Sequence, residues 1–534
     1  MKNLDEAERI CKPLPDTDDL LELATPAAHQ LPARTDGTAA TDDGSGDGGK
    51  SNGKNERMHD ALIKLAQQQC QFFCTPGRNG QAYADIHRLG HRETMQVEGD
   101  DFKDWLIAES FAERGVAPSE DAVKTATRTL CALAKRGGVQ HEVHLRRAFL
   151  AGCLYLDLGD ETWNAVRVDS EGWRIVGDAP VRFRRPRPML ALPTPRRGGK
   201  AEDLWRFVAV KSDPDRVLTV AWLLAALGQP AGALPVLVVS GEQGTAKSTA
   251  TRLLLALVSP AEAPLLALPT DRRDLAVIAN AYYVLAFDNV SGLTREQSDS
   301  LCTLSTGSGF ATRKCYSDAE LTVFQAKRPL ILNGIPDFVD RPDLADRALR
   351  LELEPIGPRG RRTEGDLWTD FEAAAPEILG ALLDVVAVGL ANLPTTHEAD
   401  TSTRLADFEQ WLQACELALW ESGTFEHALL ANRESSLTAT LEGDPVAQVA
   451  MRLATSHAEW HGTASDFVAA GLALADEGCN KLAHQGARHV SNRLKLLAPA
   501  LREKGISVER RRSGPRGERM IHLRAIGEVS GQDQ

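Results

Sequence analysis

The sequence predicts an α/β protein: a parallel sheet clothed by helices at the centre, an α+β domain before it, and a basic three-helix and hairpin unit after it. Three observations carry this expectation. Apolar strand-length runs alternate with helical spacing over residues 202–355. One of those runs opens into a glycine-bearing loop that closes on Lys247 and Ser248. The last hundred residues concentrate arginine on one helix and one hairpin, although the chain as a whole carries −13.

The 534 residues correspond to about three globular units at roughly 100–200 residues each. A 43% hydrophobic and 25% charged composition is that of a soluble globular protein. The net negative charge excludes a uniformly basic coat, so any nucleic-acid site must be local. The nine cysteines are scattered without a zinc spacing and read as reduced thiols. The N-terminus lacks a signal peptide, and the apolar stretch 217–240 is broken by Gly228, Pro230, Gly232 and Pro235. A cytoplasmic protein with no membrane partner is therefore expected.

The expected organisation is a disordered tail over 1–55, an α+β domain over 56–195, an ATPase core over 196–358, a helical lid or linker over 359–443, a winged helix over 444–526 and a tail over 527–534. Within the α+β domain, 60–73, 102–111 and 122–135 have helical spacing, and 152–158, 163–168 and 173–176 alternate as a β-meander. The clusters His87/His91/Glu93, His141/His144 and Asp157/Asp160/Glu161 lack a complete metal-ligand set and read as structural or surface groups. The segment 182–200 interleaves arginines with prolines, which makes it a stiff extended connector that could also touch phosphate.

The core follows in order: helix 217–226, strand 236–240, helix 247–257, strand 283–287, helix 295–304 and strand 330–332. The loop Gly241, Glu242, Gln243, Gly244, Thr245, Ala246, Lys247, Ser248, Thr249 fits the phosphate-loop template except that Ala246 replaces the last glycine. Backbone N–H groups and the helix N-terminus would cradle phosphates, Lys247 would reach the β- and γ-phosphates of ATP, and Ser248 would hold Mg²⁺. Ala246 must avoid φ > 0 or carry strain.

Asp288 ends the next strand, where a carboxylate helps to hold Mg²⁺. Asn289 follows it; an amide can position water but cannot take a proton, which leaves Glu296 and Glu320 as base candidates. Asn333 ends a third strand and could touch the γ-phosphate or the attacking water. Arg347 and Arg350, near one face if helical, supply an arginine finger or ordinary salt bridges.

These parts in this order resemble superfamily 3 helicases, specifically the poxvirus-type primase-helicase NTPases of phages and plasmids. Residues 301–316, with Arg313 and Lys314, resemble that family's motif B′, a DNA-facing hairpin; 329–336 resembles motif C; Arg347 and Arg350 match its arginine pair. From 83 to 526 the chain also resembles prophage-associated actinobacterial ATP-binding proteins. The resemblance implies an AAA+-like P-loop NTPase core, Mg²⁺-ATP, a homo-hexameric ring and single-stranded DNA in its pore. Ala246 and Asn289 depart from the pattern, and the N-terminal region lacks a clear primase signature, so primase activity is not expected.

The last unit reads as a winged helix on its own residues. Helices at 445–456, 464–475 and 487–503 precede strands 506–511 and 519–524. Arg488, Arg493 and Lys495 on the last helix, with Arg510, Arg511, Arg512, Arg516 and Arg519 on the hairpin, form a footprint for duplex DNA, or alternatively a protein-docking face. The leading expectation is an ATP-dependent helicase or translocase. The alternatives are an ATP-switched DNA-binding regulator with little turnover, or an ATPase that remodels a protein partner.

Overall fold

The computed structural model describes residues 57–77, 80–210, 212–313, 321–334, 338–339, 341–357, 361–396, 404–456, 459–474, 486–513 and 518–526. The two tails expected from composition lie outside these residues. The chain divides into two compact units, the first ending at Val143 and regaining Phe149–Gly152, the second holding the remainder.

The first unit runs α1 (Met58–Gln69), β1 (Cys70–Cys74), β2 (Ala82–Arg88), β3 (His91–Gln96), α2 (Asp100–Arg114) and α3 (Glu120–Gly137). The strands form one antiparallel sheet in the order β1-β2-β3. Leu62, Leu65, Ala84, Ile86, Phe102, Trp105, Val123 and Leu130 make one core between sheet and helices. Ser119 caps α3 and left-handed Gly138 ends it. The helix expected over 60–73 stops at Gln69, because Cys70–Cys74 pairs with β2 from Cys70↔Ile86 to Cys74↔Ala82. Phe72 and Phe73 suit a pleated strand, and pairing with β2 outweighs the local helical pattern. His91 and Glu93 bond to each other at 3.1 Å inside this unit.

The second unit opens with an antiparallel meander, β4 (Cys153–Asp157), β5 (Ala165–Asp169) and β6 (Gly172–Val176). The basic segment after it is packed rather than a free connector. Arg185 makes two bonds to the buried Asp157 carboxylate, at 2.6 and 3.0 Å, and lies 3.9 Å from the Trp163 ring centroid. Arg197 covers Trp173 and pairs with Asp384 at 3.2 Å. Both arginines are thus committed to partners within the fold.

The core elements are α4 (Asp213–Gly228), β7 (Val236–Ser240), α5 (Lys247–Val258), β8 (Leu285–Val290), α6 (Arg295–Thr306), β9 (Gly309–Arg313), β10 (Leu321–Gln325), β11 (Leu330–Gly334) and β12 (Ala348–Glu352). Four strands form a parallel sheet in the order β8-β11-β7-β12. Being covered on both faces, β7 and β11 read as unbroken apolar runs. The crossovers therefore deliver the ends of β7, β8 and β11 to one carboxyl edge.

Helices α7 (Glu364–Asn392), α8 (Ala406–Glu416) and α9 (Thr424–Glu442) follow. The segment Glu364–Thr395 is long and apolar enough to cross a membrane by length and composition, but 61% of its apolar window is buried in this fold. Gly228 lets α4 approach α7 closely: a Cβ there would lie 2.6 Å from Val386 Cγ1. Trp411 Nε1 donates to Leu224 O at 3.1 Å and ties α8 to α4.

The chain ends in α10 (Pro445–Ser456), β13 (Glu459–Thr463), α11 (Ala464–Ala473), α12 (Ala487–Glu503), β14 (Ile506–Ser513) and β15 (Glu518–Ala525). The sheet is three-stranded, β13-β15-β14, not the two-stranded hairpin expected. Residues Glu459–Thr463 add along β15, which aligns Trp460 with Leu523 over the core of Val446, Leu453, Phe467, Val490, Leu494 and Ile521. Helix α11 ends at Ala473 rather than 475.

Candidate nucleotide site and its flanks

The loop after β7 is shaped by three left-handed or glycine-only backbones. Gly241 has φ 151° and lies so close to the chain after β12 that a Cβ would fall 2.5 Å from Leu353 O. Gly244 has φ 86°. Ala246, at φ 61° and ψ 32°, is the N-cap of α5. Of the two options open at Ala246, the backbone takes the strained one, at a cost of about 1–2 kcal/mol. Thr245 is fully buried and donates to Glu242 O at 3.0 Å, which pins the turn. Glu242, Gln243 and Gly244 are exposed at its outer rim.

Lys247 Nζ donates to Gly241 O at 2.7 Å and to Glu242 O at 2.8 Å, so its ammonium lies across the loop it closes. Ser248 Oγ donates to Asp288 Oδ2 at 2.8 Å. Asn333 Nδ2 donates to Asp288 Oδ1 at 3.2 Å, and Thr251 Oγ1 donates to Asn333 Oδ1 at 2.8 Å. Ser248, Asp288, Asn333 and Thr251 thus form one chain of bonds across α5, β8 and β11, with Asn333 and Thr251 fully buried. Thr249 is half-buried in the same helical turn. Thr251 was not singled out from sequence, yet it stands one turn beyond Lys247, where a helix repeats its face.

Asp288 and Asn289 lie inside β8, which extends three residues beyond the expected 283–287 strand. A register irregularity between Phe287 and Val290 accompanies φ 55° at Asn289. The exposed Asn289 borders a cleft of about 520 Å³ with Asp288, Leu266, Leu268, Gly292 and Gln297. Glu296 is exposed in the first turn of α6, and Glu320 lies outside the described residues.

Strands β9 and β10 pair as an antiparallel hairpin, from Gly309↔Gln325 to Arg313↔Leu321. Arg313 ends β9; its side chain, and Lys314 altogether, lie outside the described residues.

The arginines after β11 do not share a helical face. Arg347 sits in a turn, its guanidinium donating to Asp343 O, while Arg350 belongs to β12. Pairing of β12 with β7, Val236↔Ala348 through Ser240↔Glu352, sets this segment as strand. Arg350 Nη2 donates to Val339 O at 2.6 Å.

On α12, Arg488 and Lys495 are exposed. Arg493 turns inward and pairs with Asp444 at 2.5 Å. Arg510, Arg511, Arg512 and Arg519 are exposed on β14 and β15, and Arg516 lies outside the described residues. Arg511 bonds Glu509 at 2.6 Å. Arg512 stands directly opposite Arg519, and burial together with Arg519 lowers the Arg510 pKa. Like charges facing each other across strands are destabilising.

Residues 201–435 match the family described as the actinomycete integrative conjugative element replication protein, and residues 446–532 match the C-terminal domain of the same RepA family. No curated protein matches. Among solved structures, the apo C-terminal region of NrS-1 aligns at 11% identity over 86% of this chain and 98% of its own, with a TM-score of 0.38. Another apo structure of that region aligns at 13% identity over 89% and 100%, with a TM-score of 0.37.

Proposed function

Since the chain belongs to the RepA-type replication proteins of actinomycete integrative conjugative elements, we propose that it is an ATP-driven DNA helicase or translocase with an AAA+-like P-loop core and a C-terminal winged helix. One observation carries this reading: Lys247, Ser248, Asp288 and Asn333 converge at the carboxyl edge of a parallel sheet beside a left-handed glycine loop.

The donor set suits Mg²⁺, which takes hard oxygens. Ser248 Oγ and Asp288 Oδ2, 2.8 Å apart, would hold it. When bound, the ion would neutralise charge on the β- and γ-phosphates. Lys247 would exchange its loop carbonyls for phosphate oxygens. Asn333, held by Thr251, would aim its amide at the γ-phosphate or the attacking water. Asn289 would orient water without accepting its proton. Arg347 and Arg350 would act on the nucleotide of a neighbouring subunit in a homo-hexamer. The hairpin ending at Arg313, with Lys314, would face single-stranded DNA in the pore. Arg488, Lys495 and the hairpin arginines would hold duplex phosphates.

The test is ATP hydrolysis with and without single-stranded DNA. DNA-stimulated turnover in the parent that disappears in Lys247→Ala is expected; equal turnover in both proteins rejects the site. A second reading, an ATP-switched DNA binder with little turnover, is favoured by the neutral Asn289 after Asp288. It predicts ATP-dependent DNA affinity without hydrolysis.

A further inference from the structure

Three consecutive residues of α9 join the arginine strand to the end of α12. The Asn432 side chain clamps the Arg350 backbone at two points: Oδ1 accepts from Arg350 N–H at 3.1 Å, and Nδ2 donates to Arg350 O at 2.5 Å. Arg433 Nη2 pairs with Glu503 Oε1 at 2.8 Å. Glu434 Oε1 accepts from Lys504 Nζ at 3.5 Å. Asp346, the residue before Arg347, pairs with Arg404 at 3.3 Å, and the same guanidinium reaches Asp343 at 3.3 Å.

These contacts surround a cavity of about 470 Å³ lined by Asp346, Leu349, Asn432, Arg433, Pro499 and Glu503 among others. Across it the Asn432 clamp joins α9 to β12, while α9 and α12 share the apolar core of Leu437, Leu441, Leu494, Leu497 and Leu501 and carry the two ion pairs at its edge. The links differ in strength. Each amide–backbone bond at Asn432 contributes on the order of 1 kcal/mol. The Arg433–Glu503 pair is 45% exposed on both sides, and such pairs contribute about 0–1 kcal/mol. Helix α9 is therefore held to the arginine strand by the clamp and to α12 by that core, and the exposed ion pairs can break and re-form while both hold.

We propose that α9 couples the nucleotide site to the DNA-binding unit: Asn432 is a positioning residue for Arg350, and the Arg433–Glu503 and Glu434–Lys504 pairs transmit the position of β12 to α12. This rests on the reading of Arg347 and Arg350 as groups that act on the nucleotide of a neighbouring subunit. Coupling of this kind is reciprocal, so nucleotide shifts DNA affinity by the same factor as DNA shifts nucleotide affinity.

The experiment measures duplex-DNA affinity of the full chain by fluorescence anisotropy, with and without Mg²⁺ and a non-hydrolysable ATP analogue. The parent should show a ratio of roughly 5-fold or more, within the usual range of allosteric coupling. Arg433→Gln and Glu503→Gln should bring the ratio towards 1 while leaving DNA-free ATP turnover within about twofold. The exchanged pair, Arg433→Glu with Glu503→Arg, should restore it. Asn432→Ala should lower DNA-stimulated kcat by about tenfold with the KM for ATP kept, the pattern of a lost positioning contact. A ratio unchanged in Glu503→Gln overturns the proposal, as does a parent ratio of 1. If that parent still hydrolyses ATP in a Lys247-dependent way, only the coupling has failed. If it neither binds nor hydrolyses ATP, the nucleotide reading falls with it.

Discussion

The two flanks of β7 are built differently. On the β11–β8 side, Asn333 and Thr251 are fully buried, and every hydrogen bond in the chain from Thr251 to Ser248 is 3.2 Å or shorter. On the β12 side, Asp346, Leu349 and Asn432 border a 470 Å³ cavity, bridged by one amide clamp and exposed ion pairs. A buried, fully satisfied network fixes its members because each broken bond strands a polar group away from water. Exposed pairs strand nothing and rearrange cheaply. The molecule therefore sets a rigid polar network on one side of β7 beside a more compliant flank on the other.

Removing the rigid side should cost most. Lys247→Ala is expected to lower ATP turnover by roughly 10²–10³-fold, the scale of losing one pre-organised electrostatic group, as read in a steady-state assay. Asn333→Ala removes the partner of Thr251 Oγ1 and of Asp288 Oδ1 and should destabilise by about 1–3 kcal/mol in urea denaturation as well as impairing turnover. Full stability in that variant would mean the network is not the rigid element described. Ala246→Gly should act in the opposite direction. Relief of the left-handed strain, about 1–2 kcal/mol, exceeds the entropic penalty of glycine, about 0.5–1 kcal/mol, so a small rise in Tm with turnover kept is expected. On the compliant side, Glu503→Gln should change stability by no more than about 1 kcal/mol, with its effect appearing in coupling instead. A large loss of stability there would erase the contrast between the two flanks.

The core strands were legible because strands buried on both faces are written as continuous apolar runs, as in 236–239 and 330–332. The loop was legible because small residues stand at fixed spacing between an apolar strand and a helix. Elements that depend on a distant partner were not. Cys70–Cys74 has a helical pattern until β2 pairs with it, and Glu459–Thr463 becomes a strand by adding to β15. Arg347 and Arg350 share a helical spacing, yet β12 pairs with β7 and separates them. The arginines of 182–200 read as free until Asp157, Trp163 and Asp384 claim Arg185 and Arg197.

By itself the sequence determined which residues could carry chemistry, the order of strands and helices that brings Lys247, Asp288 and Asn333 to one sheet edge, and the basic character of the last helix and hairpin. These follow from local pattern, since burial and backbone geometry constrain residue types position by position. Tertiary structure alone decided that Ala246 adopts the left-handed conformation, that Thr251 orients Asn333, that Arg493 turns inward to Asp444, and that Asn432 grips Arg350. Each depends on contact with a group distant in sequence or on a backbone fixed by packing, and local spacing does not encode such contacts.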